Sequence, residues 1–114
     1  MRVRLDEIVF DCEEPRSLAQ FWASLLGGTA VHRSSHWSYL DAPELVRLAF
    51  QKVPESKTIK NRLHLDFEVD DIPAATEEAL HLGAEKVGGV VTDENGSFQV
   101  VRDIEGNEFC FVSP

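Results

Sequence analysis

The sequence is short of cysteine, short of basic residues, and without any long apolar run. Only Cys12 and Cys110 are present, too few and too far apart for the disulfide framework of a small secreted protein. No Cys-x-x-Cys pair or Cys/His cluster has the spacing of a structural zinc site. Lys and Arg total 11 against 20 Asp and Glu, a formal net charge of −9. An acidic surface repels polyanions, which argues against DNA, RNA and anionic membranes as partners. No apolar stretch nears the roughly 20 residues of a membrane-spanning helix. The opening "MRVRLDEIVF" lacks the apolar segment and small-residue cleavage site of a secretory leader. The expectation is a cytoplasmic protein.

What is present is a repeated pattern. The 114 residues, 43% apolar, suffice for one compact domain. A chain of this length buries only about two-thirds of its unfolded surface, so a partner subunit would help it. Residues 3–12 alternate as a strand, with Leu5, Glu7, Val9 and Asp11 on one face and Ile8, Phe10 and Cys12 on the other. Residues 13–28 change to helical spacing: Pro15 suits the first turn, Leu18, Phe21, Trp22, Leu25 and Leu26 form a stripe, and Gly27-Gly28 stops it. Strands are predicted at about 29–33, 36–41 and 46–53.

The polar stretch 54–61 reads as a linker, and the order then restarts. A strand is expected over 62–69. A helix follows over 70–84, with Asp70 or Asp71 as cap, Pro73 in the first turn and Gly83 at the end. Strands follow at 85–91, 97–103 and 107–113, with tight turns at Asn95-Gly96 and Glu105-Gly106. A shift of 57 residues lays "EIVFDCEE" on "HLDFEVDD", so Glu7 meets His64 and Phe10 meets Phe67. The chain is strand–helix–three strands, written twice.

Each helix covers the apolar face of its strands. Ile8, Phe10, Leu48, Phe50, Leu65, Phe67, Phe109 and Phe111 therefore face the helices, and the opposite faces collect Glu7, Ala49, Gln51, His64, Asp66, Glu108 and Cys110. Trp37 and Tyr39 fit either a core or a surface that stacks on a ligand. Asn61 and Arg62 fit either an ordering role in the linker or recognition of an anionic group.

The segments 11–27, 47–55, 60–71, 82–87 and 100–112 resemble, in order, those of the vicinal oxygen chelate superfamily, the glyoxalase/bleomycin-resistance/extradiol-dioxygenase group. The closest likeness is to its small glyoxalase-like domain proteins. The resemblance implies an α+β fold of two βαβββ modules forming a curved, cup-shaped mixed sheet with helices on the convex side. It implies one glyoxalase-like domain over 1–114, with module one at 1–53, the linker at 54–61 and module two at 62–114.

In metal-dependent members, the first strand of each module gives a His or similar ligand and the fourth gives a Glu. His64 matches directly, and Glu7 stands where the first-module histidine usually does. Ala49 and Cys110 occupy the two glutamate positions. Gln51 and Glu108 are the nearest donors, and Glu7–Gln51 and His64–Glu108 are both 44 residues apart. The expected metal set is Glu7, Gln51, His64 and Glu108, holding one divalent ion (Fe, Mn, Ni or Zn). Glu7, His64 and Glu108 are the expected catalytic residues. Gln51, Asp66, Trp37, Tyr39, Arg62 and Cys110 are the expected ligand-binding residues. The implied activity is a lyase or isomerase type of proton transfer next to a carbonyl. The alternative is a metal-free binding protein of the bleomycin-resistance type. The expected partners are a small molecule and a second copy of the chain.

Overall fold

A computed structural model describes residues 1–2 and 4–114; Val3, in the expected first strand, lies outside the described residues. The chain divides into two compact units, Met1–Ser56 and Lys57–Pro114. Each is a βαβββ module with a four-stranded mixed sheet and one helix, as the sequence pattern predicts.

In the first unit, β1 (Glu7–Cys12) leads into α1 (Pro15–Leu26), then β2 (Thr29–Ser34), β3 (Trp37–Asp41) and β4 (Arg47–Lys52). The sheet order is β1-β4-β3-β2, with β1 parallel to β4 and the other pairs antiparallel. Residues 4–6 precede β1, which starts at Glu7 because the ladder to β4 opens with Glu7 opposite Arg47. Pro15 occupies the first turn of α1, and Gly27, at φ +77°, closes it while its N–H bonds the Ala23 carbonyl. Leu18, Ala19 and Trp22 are fully or almost fully buried, as are Leu40, Leu48 and Phe50 on the sheet. Phe10 stacks between Trp22 (6.3 Å) and Phe50 (5.5 Å), joining helix to sheet.

In the second unit, β5 (Asp66–Glu68) is followed by α2 (Ile72–His81), β6 (Glu85–Asp93), β7 (Gly96–Arg102) and β8 (Glu108–Ser113). The order β5-β8-β7-β6 repeats that of the first unit, with β5 parallel to β8. Asp71, not Asp70, caps α2, accepting a hydrogen bond from the Ala74 N–H at 3.0 Å. Ile72, Thr76 and Ala79 of α2 are buried, as are Val101, Phe109 and Phe111 of the sheet. β6 bulges between Val87 and Val91. The buried Gln99 amide donates to the Val87 and Gly88 carbonyls, both at 3.2 Å, and so satisfies two acceptors beside the irregularity.

β5 is three residues long, against the eight expected over 62–69. The physical reason is Asn61. Continuing the parallel ladder would bring the Glu108 N–H to the Leu63 carbonyl. Instead the Asn61 side chain lies between them: its Oδ1 accepts from the Glu108 N–H at 2.9 Å and its Nδ2 donates to the Leu63 carbonyl. The ladder resumes one step on, where the Cys110 N–H reaches the Leu65 carbonyl at 2.9 Å.

Candidate functional site

On the second unit, the sheet face away from α2 carries the polar groups. Asp66 of β5 stands opposite Cys110 of β8 in the parallel register. His64, two residues before Asp66, falls on the same side, and its Nε2 lies 3.3 Å from Asp66 Oδ1. One donor atom from each of His64, Asp66 and Cys110 lies within 4.8 Å of the others. Extending the register two residues puts His64 beside Glu108, and both line one cavity of about 380 Å³. Lys60, Asn61 and Asp66 add polar lining, and Phe98, Val100 and Val112 add apolar lining.

The electrostatics are acidic. Burial pushes the Cys110 thiol up, and the Asp66 and Glu108 carboxylates push it further, with only Lys60 acting against them. On its own, Cys110 is therefore a protonated thiol and a poor nucleophile at neutral pH. Its hydrogen-bond interaction with Asp66 favours the same state.

The first unit arranges its polar face differently. Glu7 pairs with Arg47, Val9 with Ala49 and Asp11 with Gln51. Glu7 and Gln51 are thus four ladder steps apart, roughly 13 Å at about 3.3 Å per residue. Ala49 is fully buried and has no donor to offer. Arg47 is committed to Asp41 through two bonds of 2.9 Å, Nε to Oδ1 and its terminal nitrogen to Oδ2. That hydrogen bond holds the Asp41 carboxyl below its ordinary value and the Arg47 guanidinium above its own. Tyr39 does not present a clear face: Arg47 lies over its ring at 3.9 Å and Arg33 at 4.8 Å. Trp37, opposite Gln51, is half-buried.

The structure therefore gathers His64, Asp66, Cys110 and Glu108 and does not set Gln51 beside Glu7. Arg62 is exposed and outside the cavity lining; the cation that lines it is Lys60. Lys60 is a lining residue that the sequence reading did not single out, and Asn61 is one it left between ordering the linker and binding an anionic group. The signal for Asn61 was its place three residues before His64 in a segment expected to pair with β8.

The family described as Glyoxalase-like domain matches residues 7–112. No curated protein matches the chain. Among solved structures, the fold is similar to a glyoxalase/bleomycin resistance protein/dioxygenase family enzyme from Burkholderia phytofirmans PsJN. That match has a TM-score of 0.79 and 18% identity, covering 95% of this chain and 96% of that one. It is similar to the fosfomycin resistance protein FosX from Mesorhizobium loti, with a TM-score of 0.78 and 16% identity over 100% and 94% of the two chains. It is also similar to a mutant FosX from Listeria monocytogenes, complexed with Mn(II) and a dihydroxypropylphosphonic acid. There the TM-score is 0.80 and the identity 14%, over 98% and 90%. At these identities the likeness establishes the fold.

Proposed function

This chain belongs to the glyoxalase-like domain family, and from that premise we propose that it acts on a small molecule in the cavity of its second unit, moving a proton next to a carbonyl. The observation that carries this reading is the convergence of His64, Asp66, Cys110 and Glu108 on one partly apolar hollow. Small-molecule sites have this composition: apolar lining with a few convergent polar groups.

Glu108 is the base. Its carboxylate takes the proton from the hydroxyl-bearing carbon beside the carbonyl while the carbonyl oxygen gains a proton, giving an enediol; the carboxylate then returns its proton to the former carbonyl carbon as the neighbouring hydroxyl gives up its own and becomes the new carbonyl. His64, oriented by Asp66, donates a hydrogen bond to the oxygen that becomes negative. Lys60 holds an anionic group of the substrate. In place of that hydrogen bond, the same side chains would hold a metal, since imidazole nitrogen, carboxylate oxygen and sulfur lie within 4.8 Å of one another. The FosX relative with Mn(II) and a phosphonic acid supports a divalent ion and an oxygen-rich ligand as the kind of occupants. When bound, such an ion supplies positive charge at the substrate oxygen. Glu7 and Gln51 have no assigned part in this reading.

A second reading is a metal-free binding protein of the bleomycin-resistance type. The buried, donorless Ala49 and the protonated Cys110 thiol favour it. For the assembly we propose a homodimer, because a chain this small buries only about two-thirds of its unfolded surface and Val90 and Val91, adjacent on β6, are about half exposed. Light scattering that gives the monomer mass across the micromolar range would contradict it.

The functional test uses tag-free protein and small carbonyl compounds in deuterated water. Exchange at the carbon next to the carbonyl, lost in Glu108→Gln with the thermal-shift response retained, supports the enzyme. A thermal shift with cationic aromatic compounds and no exchange supports the binding protein. Absence of both, or an unchanged response in His64→Ala, overturns the site.

A further inference from the structure

We propose that Lys57, Lys60 and Arg102 form an anion subsite beside the working cavity, and that it takes the phosphate group of a phosphorylated hydroxycarbonyl substrate. This rests on reading the cavity of the second unit as the working site, and it names the class of substrate that the cavity takes.

A second hollow, of about 290 Å³, lies within the second unit, and its polar lining includes Lys57, Thr58, Lys60, Arg102 and Glu108. Lys60 and Glu108 also line the working cavity, so the two hollows adjoin. The charge at the second hollow is opposite to that of the chain. The chain has a net charge of −9, yet three cations meet here against one carboxylate. Arg102 of β7 has Glu85 of β6 and Glu108 of β8 as its cross-strand neighbours. Either could neutralise it, but no ion pair among the described residues involves Lys57, Lys60 or Arg102. On an acidic chain, cations without carboxylate partners are charge left available to a ligand.

The frame that presents these charges is fixed. Lys57 is half-buried, and its ammonium donates to the Ile59 carbonyl, which curls residues 57–59 on themselves. Two of its three N–H donors remain for a ligand. Asn61, next to Lys60, accepts from the Glu108 N–H at 2.9 Å. Arg102 ends β7 just before Asp103, whose N–H bonds the Asn107 carbonyl at 2.8 Å. Both segments that supply the cations are thus tied to the start of β8, and the subsite is preorganised.

The charge count selects the ligand. Three cations and one carboxylate leave two positive charges, which match the charge of about −1.5 to −2 that a phosphate ester carries at neutral pH. The two lysines act as point charges, and the arginine fork takes two oxygens of one phosphate. A single carboxylate brings half that charge and leaves one cation unmatched. The substrate therefore has its hydroxycarbonyl end in the working cavity and its phosphate in the adjoining hollow.

The test uses the full chain, with inorganic phosphate as the first probe, followed by phosphorus NMR and calorimetry. Phosphate is expected to saturate one site, and Lys57→Gln and Arg102→Gln each to weaken it roughly tenfold through loss of one charge-assisted contact. Lys86→Gln, at an exposed cation on β6 outside the hollow, measures the effect of net charge alone and is expected to change nothing. Equal losses in all three variants, or a loss in none, mean an adventitious ion only and overturn the inference. The second probe is the pair of dihydroxyacetone and its phosphate ester, followed by deuterium exchange at the hydroxyl-bearing carbon. The ester is expected to show the lower KM, and this advantage is expected to fall roughly tenfold in Lys57→Gln and in Arg102→Gln. Exchange of both compounds with equal KM overturns the inference and leaves the proposed activity standing. Phosphate binding that depends on Lys57 and Arg102, with no exchange of either compound, supports the anion subsite and overturns the activity.

Discussion

Asn61 and Asp103 hold the entrance to β8, the strand that carries Glu108 and Cys110. Asp103 is buried, and its Oδ1 accepts from the Glu105 and Asn107 N–H groups, both at 2.9 Å, while the Asn107 side-chain amide bonds Oδ2 at 3.0 Å. Asp103→Ala strands these donors and is expected to cost about 2–3 kcal/mol, measured by urea unfolding. Asn61→Ala removes the bonds to Glu108 and Leu63 and is expected to cost about 1–2 kcal/mol. It should also weaken binding of a divalent ion at the His64 group, because His64 loses its anchor; unchanged binding would show that Asn61 only stabilises the fold. Neither role was legible beforehand. The alternation of 62–69 reads as a strand, and nothing in it reveals that a side-chain amide replaces one rung of the ladder. His64, by contrast, was legible: its period-two neighbours Asp66 and Glu68 marked a polar face that the structure keeps.

The elements themselves were well marked, because changes of hydrophobic period and the Pro and Gly signals punctuate them. Register was not marked. Equal spacings of 44 suggested that Glu7 faces Gln51 as His64 faces Glu108. The parallel pairs differ in offset, however: Glu7 opposes Arg47, 40 residues on, and Asp66 opposes Cys110, 44 on. The difference lies after the helix: Thr29 to Arg47 spans 18 residues and Glu85 to Cys110 spans 25, and only non-local pairing sets those numbers. In the first unit, α1 must turn directly into β2. A Cβ on Gly28 would meet Leu40 Cδ1 at 2.5 Å and the Asp41 carbonyl at 2.6 Å. Gly28→Ala is therefore expected to lose about 1–3 kcal/mol, checked by thermal unfolding. The Asp41–Arg47 pair ties the end of β3 to the start of β4. The Asp41 carboxyl is lowered on folding from its ordinary 3.8, so the pair's contribution is fully present above that value and fades as pH falls through the folded-state one. Both groups are exposed, so the effect is small. The stability difference between the native chain and Asp41→Asn should be constant from neutral pH down to about 4 and vanish below it. A difference that grows on acidification would contradict the assignment.

At the scale of the whole molecule, the two units share one architecture and differ in their polar faces. In the first unit Arg47 lies against Asp41 and Tyr39, and the second unit gathers nitrogen, oxygen and sulfur at one hollow. No helix among the described residues is long and apolar enough to cross a membrane. A bound ion stabilises the fold by mass action, so zinc at a hundred times its dissociation constant should raise unfolding stability by about 2.7 kcal/mol, and His64→Ala should abolish that gain. The most direct measurement is an NMR titration of the full, metal-free chain with zinc, following the imidazole of His64 and the backbone amides of Asp66, Cys110 and Glu108. These signals are predicted to shift together and to stop at one equivalent of zinc. If they stay in place while zinc binds elsewhere, the second unit's hollow is not the working site.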